Sequence, residues 1–160
     1  GNETTARLIG WLVALLARHP DQRAELVEDR SLIANTIEET LRFEPTCRAI
    51  DRYVAKDVEV HGRVVPEGRA MILLLASANR DERRWTDGDR YDIHRTIGRQ
   101  LTFGVGVHHC LGAALARLEG GIALDEILTR FPTWEVDWDN AALASTSTMR
   151  GWETLPVSVS

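Results

Sequence analysis

The segment from Leu8 to Ala17, which reads LIGWLVALLA, constrains the fold more than any other part of the chain. Apolar side chains occupy most of the helical wheel between Glu3 and Arg18. A helix that is apolar nearly all round is stable only where protein surrounds it. The run is too short to span a bilayer, which takes about 20 apolar residues. We therefore predict a buried central helix that ends at Pro20.

The remaining periodicities predict a mainly α chain with small β-sheets, an α+β arrangement. Two shorter helices precede a strand-rich stretch, a polar ordered loop of the kind that carries function follows it, and one more helix precedes the tail. The predicted elements are helices over Asp21–Glu28, Ser31–Phe43 and Leu111–Arg130, strands within Val58–Leu75 separated by Gly62 and Gly68, the loop over residues 79–95, and short strands from Trp134 to Val159.

The charge and cysteine content narrow the classes of function. A net charge of -5 without a basic tail argues against a general nucleic-acid binder. The two cysteines make no disulfide framework, which favours a reducing compartment, and we expect a cytoplasmic protein. The apolar run has no basic segment before it and no cleavage site after it, so it does not read as a signal peptide.

One of the two cysteines occupies an unusual position, in the stretch LTFGVGVHHCLGAAL from Leu101 to Leu115. Cys110 lies where a glycine-rich loop gives way to a predicted helix, and the positive end of the helix dipole favours its thiolate. A thiolate acts as a nucleophile or as a metal ligand. The simpler alternative is that Cys110 is an inert buried cysteine. Gly104 and Gly106 allow the backbone to approach a flat or bulky group closely.

Other kinds of cysteine site fit this stretch less well. His108, His109 and Cys110 are consecutive and cannot easily converge on one zinc ion. The C-x-x-C-H attachment of c-type haem is absent, and the glycines do not follow the dinucleotide-binding spacing. A cysteine nucleophile with a histidine base stays open, because sequence adjacency does not fix the geometry that such a pair needs.

Phe103, Gly106, Cys110 and Gly112 reproduce the pattern F-x-x-G-x-x-x-C-x-G. This stretch resembles the haem-binding loop of the cytochrome P450 superfamily, in which the cysteine thiolate is the fifth ligand of the iron of haem b and favours O–O cleavage. The resemblance implies that Cys110 is the metal ligand. It further implies that the two haem propionates bind Arg52 and His108. The predicted haem-binding residues are Arg52, Phe103, Gly104, Gly106, His108, Cys110, Gly112 and Ala113.

Two other stretches resemble further parts of the same family. EETLR resembles the E-x-x-R motif of its K helix, which implies a structural triad of Glu39, Arg42 and, from GDRYD, Arg90. GNETT resembles the oxygen-binding groove of its I helix. In that groove, by resemblance, Thr4 hydrogen-bonds the bound oxygen and Glu3 belongs to the proton path.

The matches run in family order from Gly1 to the closing RGWETLPV. They imply the C-terminal part of a bacterial-type haem-thiolate monooxygenase, which inserts one atom of dioxygen into a small organic substrate with electrons from a ferredoxin-type donor. We expect Arg117 to help dock that donor. Residues 48–50 and 147–149 correspond to substrate-facing segments, in which we single out Arg48, Ile50 and Met149.

On this interpretation residues 1–160 are a single partial domain whose N-terminal portion is absent. Leu8, Trp11, Leu12 and Leu15 are then expected not to find cover all at once. The isolated chain is accordingly expected to be molten or aggregation-prone and to lack monooxygenase activity. Two alternatives stay open: an inactive fragment that keeps the motifs without binding haem, and a zinc or thiol module.

Overall fold

The computed structural model describes residues 2–146 and 149–159. Helices form the body of this part of the chain, and short strands lie at its edges. The helices are α1 (Asn2–Arg18), α2 (Pro20–Glu28), α3 (Ile33–Phe43), α4 (Leu75–Ala78) and α5 (Ala113–Arg130), with single 3-10 turns at Arg30–Leu32 and Gly106–His108. The strands are β1 (Ala49–Tyr53), β2 (Val58–Val60), β3 (Arg63–Val65), β4 (Ala70–Leu74), β5 (Trp134–Val136), β6 (Ala142–Leu143), β7 (Trp152–Thr154) and β8 (Val157–Val159).

Helix α1 lies at the centre of the fold, as the sequence predicts. The side chains of Leu8, Trp11, Leu12 and Leu15 are each no more than 4% exposed. The expectation that they cannot all be covered is therefore wrong. Helices α2, α3 and α5 and the strands β5 and β7 pack around α1 and bury these side chains within the chain itself.

Exposed apolar side chains lie instead on α5 and the loop before it, and on strands β1, β3 and β4. Val107 is 98% exposed, while Leu115, Leu118 and Ile122 are 56%, 59% and 57% exposed. Any aggregation of the isolated chain would start from these exposed side chains and not from α1, and the expectation of aggregation stays a prediction on that basis. None of the helices in residues 2–146 and 149–159 has the length and apolar character to cross a membrane.

The strands pair as two-stranded antiparallel ladders, in the order β1–β4, β2–β3, β5–β8 and β6–β7. Strand β1, which the sequence does not predict, pairs with β4 so that Ala49 faces Leu74 and Tyr53 faces Ala70. The β2–β3 hairpin turns through His61 and Gly62, both with positive φ. The β1–β4 ladder joins the two ends of the segment between α3 and α4, and α4 packs against β1.

The start of α3 also differs from the prediction. Ser31 lies inside the 3-10 turn, and its backbone N–H donates to the carboxylate of Asp29 at 2.9 Å. Hydrogen bonds from Ser31 lower the pKa of Asp29. Asp29, and not Ser31, is therefore the residue that caps this turn.

The burial of α1 generates a first testable prediction. Leu12→Ala removes a side chain that is 1% exposed, so it should lower the free energy of unfolding by about 2–5 kcal/mol. Leu118→Ala, on the exposed face of α5, should change it by no more than about 0.5 kcal/mol. Denaturant unfolding followed by circular dichroism measures both. Equal effects of the two substitutions would contradict the central position of α1.

Candidate active site

A buried ion cluster anchors α3 to the segment that follows α4. The Arg42 guanidinium donates to both oxygens of Glu39, from Nε at 2.7 Å and from Nη2 at 2.8 Å, and both side chains are fully buried. Arg42 Nη1 donates to the carbonyls of Asn79 and Gly88, and Nη2 also donates to that of Arg90. All five N–H groups of Arg42 are therefore used, which is the condition under which a charge is tolerated in the interior.

The third side chain of this cluster is Arg95. Its Nε donates to Glu39 Oε1 at 3.2 Å, and its side chain is 12% exposed. The side chain of Arg90 is 69% exposed and lies 3.8 Å from the carboxylate of Asp92. The prediction that Arg90 completes the triad is therefore wrong: Arg90 contributes its backbone carbonyl, which accepts from Arg42 and Arg95. A turn lies between the two arginines, in which the Arg95 N–H donates to the Asp92 carbonyl at 3.1 Å.

The cysteine loop closes on itself before α5 begins. The backbone N–H of Cys110 donates to the carbonyl of Phe103 at 2.8 Å. Gly104 and Gly106 have φ of 69° and 71°, a conformation that glycine adopts without strain. At Gly112, the residue before α5, an added Cβ would lie 3.9 Å from Cys110 Sγ. The loop therefore presents the exposed thiol of Cys110 with little side-chain cover on this side.

Arg117 of α5 ties the cysteine loop to α3 and is not a free surface charge. Its Nε donates to Glu38 Oε1, its Nη2 donates to Glu38 Oε2 at 3.3 Å, and its guanidinium lies 4.6 Å from the centre of the Phe103 ring. The expectation that Arg117 helps to dock an electron donor stays a prediction, and the charge that it would offer is paired with Glu38. Glu38 is not singled out in the sequence analysis. Its position next to Glu39 on α3 is the signal that could have marked it as a second carboxylate able to pair with an arginine.

A cleft of about 690 Å³ lies between the first turns of α1 and the start of α5. Thr4 lines it from α1 and Cys110 from the loop, so the structure brings these two predicted residues to one site. Its walls are mostly apolar, and the α5 positions that reach it follow a helical spacing that the sequence could have disclosed. The lining residues are Asn2, Thr4, Thr5, Ala6, Ile9, Phe103, Cys110, Gly112, Leu115, Ala116 and Glu119.

The cleft fits the group that the resemblance implies. A haem is flat and mostly apolar, and its iron takes a soft thiolate ligand. The cleft offers one exposed thiol among mostly apolar walls, and Leu111 and Val107, near Cys110 in the sequence, are exposed as well. Among the described residues, no three His, Cys, Asp or Glu side chains come together to hold a metal ion. A thiol that faces an apolar cleft singly suits iron held by a macrocycle better than a zinc site built from protein ligands.

The second cysteine has a different environment. Cys47 is half-buried, and its thiol donates to the carbonyl of Ala49 at 3.4 Å. Burial raises the pKa of the Cys47 thiol, which keeps it protonated. Cys47 does not line the cleft, which makes it a natural comparison for Cys110.

The acid and the hydroxyl of α1 lie in its first turn. The Glu3 carboxylate accepts from Arg7 Nη2 at 2.7 Å, and Glu3 is 62% exposed while the Arg7 side chain is 10% exposed. Thr4 is partly buried and lines the cleft. Arg7 was not predicted, but its i, i+4 spacing from Glu3 is the usual signal for such a helical pair. Gly1 of the same stretch lies outside the described residues.

Of the other predicted site residues, Phe103 and Gly112 also line the cleft, and the rest do not. Arg52 donates to the Asp51 carbonyl at 2.9 Å, and His108 is exposed on the 3-10 turn. Arg48 lines a separate cavity of about 330 Å³ beside α4, and Met149 forms a bridge with Cys47. Ile50 is partly buried in β1, and Ala113 is buried at the start of α5. Residues 147 and 148 of the predicted substrate-facing segment lie outside the described residues.

The architecture is that of a known class of proteins, the cytochromes P450. The sequence profile of cytochrome P450 matches residues 1–151. The chain is 44% identical to cytochrome P450 107B1 of Saccharopolyspora erythraea and 42% identical to vitamin D(3) 25-hydroxylase of Pseudonocardia autotrophica, over 98% and 99% of its length. It superimposes on the structure of cytochrome P450 CYP109Q5 from Chondromyces apiculatus with a TM-score of 0.95 and 40% identity, over 99% of this chain and 41% of that one.

The chain therefore belongs to the cytochrome P450 family, and its helices and small antiparallel sheets reproduce part of that fold. It spans about 40% of the length of the curated relatives it matches. The predictions of family and fold class are confirmed.

The geometry of the ion cluster separates two arginines that the sequence does not distinguish. Arg95→Ala should lower the free energy of unfolding by about 1.5–3 kcal/mol, because it removes a charged hydrogen bond to the buried Glu39 carboxylate, which keeps its bonds from Arg42 and Asp92. Arg90→Ala should lower it by less than about 1 kcal/mol, because only an exposed side chain is lost. Denaturant unfolding of the two variants measures the difference. A larger loss from Arg90→Ala would mean that the cluster is assigned to the wrong arginine.

Proposed function

We propose that this chain forms the thiolate-bearing, C-terminal part of a monooxygenase. In the proposed reaction one atom of dioxygen is inserted into a small organic substrate and the other leaves as water, with two electrons from a ferredoxin-type donor. The observation that carries the proposal is the shared cleft, in which Cys110 of the loop and Thr4 of α1 line one cavity. Family membership supports it, because the fold is the one that holds haem in this way.

Cys110 is the proposed ligand of haem b. When bound there, haem activates dioxygen, and the thiolate favours O–O cleavage by donating electron density. The loop's contribution is to fix the position of the sulfur: the bond from Cys110 N–H to the Phe103 carbonyl closes the loop, and Arg117 over the Phe103 ring holds that side chain in place. Arg52 and His108 would hold the two propionates by charge-assisted hydrogen bonds.

Thr4 and Glu3 are the proposed proton-delivery residues. A threonine hydroxyl both accepts and donates a hydrogen bond, so Thr4 can pass a proton at its Oγ1 toward the cleft. The half-exposed carboxylate of Glu3 takes up protons from solvent one residue earlier on the same turn. Arg7 holds that carboxylate by its two bonds and so restrains where the proton enters.

We leave the substrate unassigned beyond a small organic molecule. One relative is a vitamin D(3) 25-hydroxylase, and its name describes the substrate of that relative and not the substrate of this chain. Arg48, Ile50 and Met149 are proposed to face the substrate, although none of the three lines the cleft in this chain. The two cysteines are unpaired, which supports a reducing, cytoplasmic location as part of the same proposal.

The coverage of the relatives favours one alternative, a fragment that keeps the fold without binding haem. The chain matches about 40% of their length and leaves apolar side chains of α5 exposed. On that alternative the protein would lack oxidoreductase activity although its core is intact. Expression of this chain together with the sequence that precedes it in its gene, followed by a haem spectrum, separates the two.

In that longer protein, Cys110→Ser should abolish the thiolate-type absorption band of the reduced carbonyl complex, because a neutral hydroxyl is a poor donor to iron. Cys47→Ser is the matched control and should keep the band, since Cys47 is half-buried and bonded to Ala49. An absorption spectrum measures both variants. Retention of the band in Cys110→Ser, or its loss in Cys47→Ser, would refute the assignment of the ligand.

Thr4→Ala should leave haem binding unchanged while product formation falls by roughly 10²-fold, because general acid–base assistance of this size is lost with the hydroxyl. The electrons should appear as hydrogen peroxide instead. Thr4→Ser keeps the hydroxyl and should behave like the parent protein. Product and peroxide are quantified for the same amount of reductant consumed, and unchanged coupling in Thr4→Ala would remove Thr4 from the proton path.

A further inference from the structure

A second set of buried polar contacts lies between the ion cluster and the cysteine loop, and the proposed function does not use it. Its centre is Asn79, which follows α4 and is fully buried. A fully buried asparagine is rare unless all of its polar groups are bonded. From the sequence, the stretch that contains Asn79 is predicted only to be a polar loop.

The contacts of Asn79 reach in two directions. Its backbone carbonyl accepts from Arg42 Nη1 at 2.9 Å, which joins it to the ion cluster. Its side-chain Oδ1 accepts from the backbone N–H of Leu101 at 2.8 Å, and its Nδ2 donates to Thr102 Oγ1 at 2.9 Å. Because the Leu101 N–H can only donate, Oδ1 must face it, and the orientation of the amide is thereby fixed.

Thr102 extends this contact to α3. Its hydroxyl accepts from Asn79 and donates to the carbonyl of Leu41 at 2.6 Å, while its backbone N–H donates to the Gln100 side chain at 2.7 Å. Thr102 is 9% exposed. The hydroxyl therefore has a defined donor and a defined acceptor, and neither bond can be exchanged for water without opening the interior.

The loop that bears the thiol begins at these same residues. The Leu101 carbonyl accepts from Gly104 N–H at 2.8 Å, and the carbonyl of Phe103, the residue after Thr102, accepts from Cys110 N–H at 2.8 Å. A continuous series of hydrogen bonds and peptide units thus runs from Arg42 through Asn79 and Leu101 to the loop that closes on Cys110. Its geometry fixes the point from which the loop starts.

We propose that Asn79 and Thr102 are positioning residues for the Cys110 thiolate. They hold the start of the cysteine loop at a set distance from the ion cluster, so that the loop delivers the sulfur to one place in the cleft. The proposal rests on the proposed function for its spectroscopic consequence. It goes beyond that function by assigning the alignment of the ligand to residues that touch neither the cleft nor the thiol.

A merely structural role would lower stability and leave the ligand unaffected in the molecules that fold. A positioning role loosens the loop in folded molecules, and part of the population then loses thiolate ligation. Two measurements separate the roles. One is hydrogen exchange at the backbone amides of Leu101 and Cys110, and the other is the fraction of the reduced carbonyl complex that shows the thiolate-type band.

The test uses the longer protein that carries this chain, with four variants. Asn79→Leu keeps the volume and removes both side-chain bonds, Thr102→Val keeps the shape and removes the hydroxyl, and Thr102→Ser restores it. Thr36→Val is the matched control: Thr36 is also fully buried on α3, and its hydroxyl donates only to the Leu32 carbonyl at 2.9 Å.

We expect exchange at the Leu101 amide to rise by about tenfold or more in Asn79→Leu, the size expected for the loss of one buried hydrogen bond. Thr102→Val should lose a measurable fraction of the thiolate-type band and exchange faster at Cys110, while Thr102→Ser and Thr36→Val match the parent protein. If Asn79→Leu yields no folded protein, the Thr102 pair decides the question.

Parent-like spectra and exchange in Thr102→Val would overturn the proposal, as would the same loss in Thr36→Val. If the parent protein itself binds no haem, the proposed function fails, and the exchange rates of the haem-free variants still decide whether Asn79 and Thr102 hold the loop.

Discussion

The carboxylate of Glu39 is a buried charge, and the organisation of the site follows from the need to satisfy it. It accepts hydrogen bonds from Arg42, from Arg95 and from the backbone N–H of Asp92. Removing one partner of such a buried ion pair lowers the free energy of unfolding more than removing one partner of a surface pair, because the group left behind stays charged in the interior. Arg42 lies on α3, whereas Asp92 and Arg95 lie in an irregular segment. The hydrogen bonds to this one carboxylate therefore fix the path of a segment that has no regular secondary structure.

The cleft depends on that path for one of its two walls. Arg42 holds the carbonyl of Asn79, the Asn79 side chain holds Leu101, and the loop that ends at Cys110 starts there. The other wall is α1, whose apolar side chains are buried among the helices. One wall is thus positioned by hydrogen bonds and the other by hydrophobic packing. This division suits a site in which a polar loop must present one soft ligand to an apolar cavity.

Much of this could be predicted from the sequence where the signal is local. The central helix, α5 and the cysteine loop follow from periodicity, glycine placement and one motif, and so does the pairing of Glu39 with Arg42 across one helical turn. The choice of Arg95 over Arg90 could not be predicted, because both lie in a stretch without period and the path of the chain decides which one turns inward. Strand β1 was missed for a related reason, since its partner β4 is distant in sequence. The prediction that part of α1 stays exposed is wrong because a helical wheel shows which residues of α1 are apolar but not which other elements pack against them.

The central claim is that the Cys110 sulfur holds iron in the cleft. X-ray absorption at the iron edge of the haem-loaded protein tests this most directly, because it identifies the atoms bound to the metal. The account predicts one sulfur neighbour in addition to the haem nitrogens, and its loss in Cys110→Ser. Two histidines precede the cysteine, so a nitrogen ligand is the obvious competitor. An iron site with only nitrogen and oxygen neighbours in the parent protein would contradict the account.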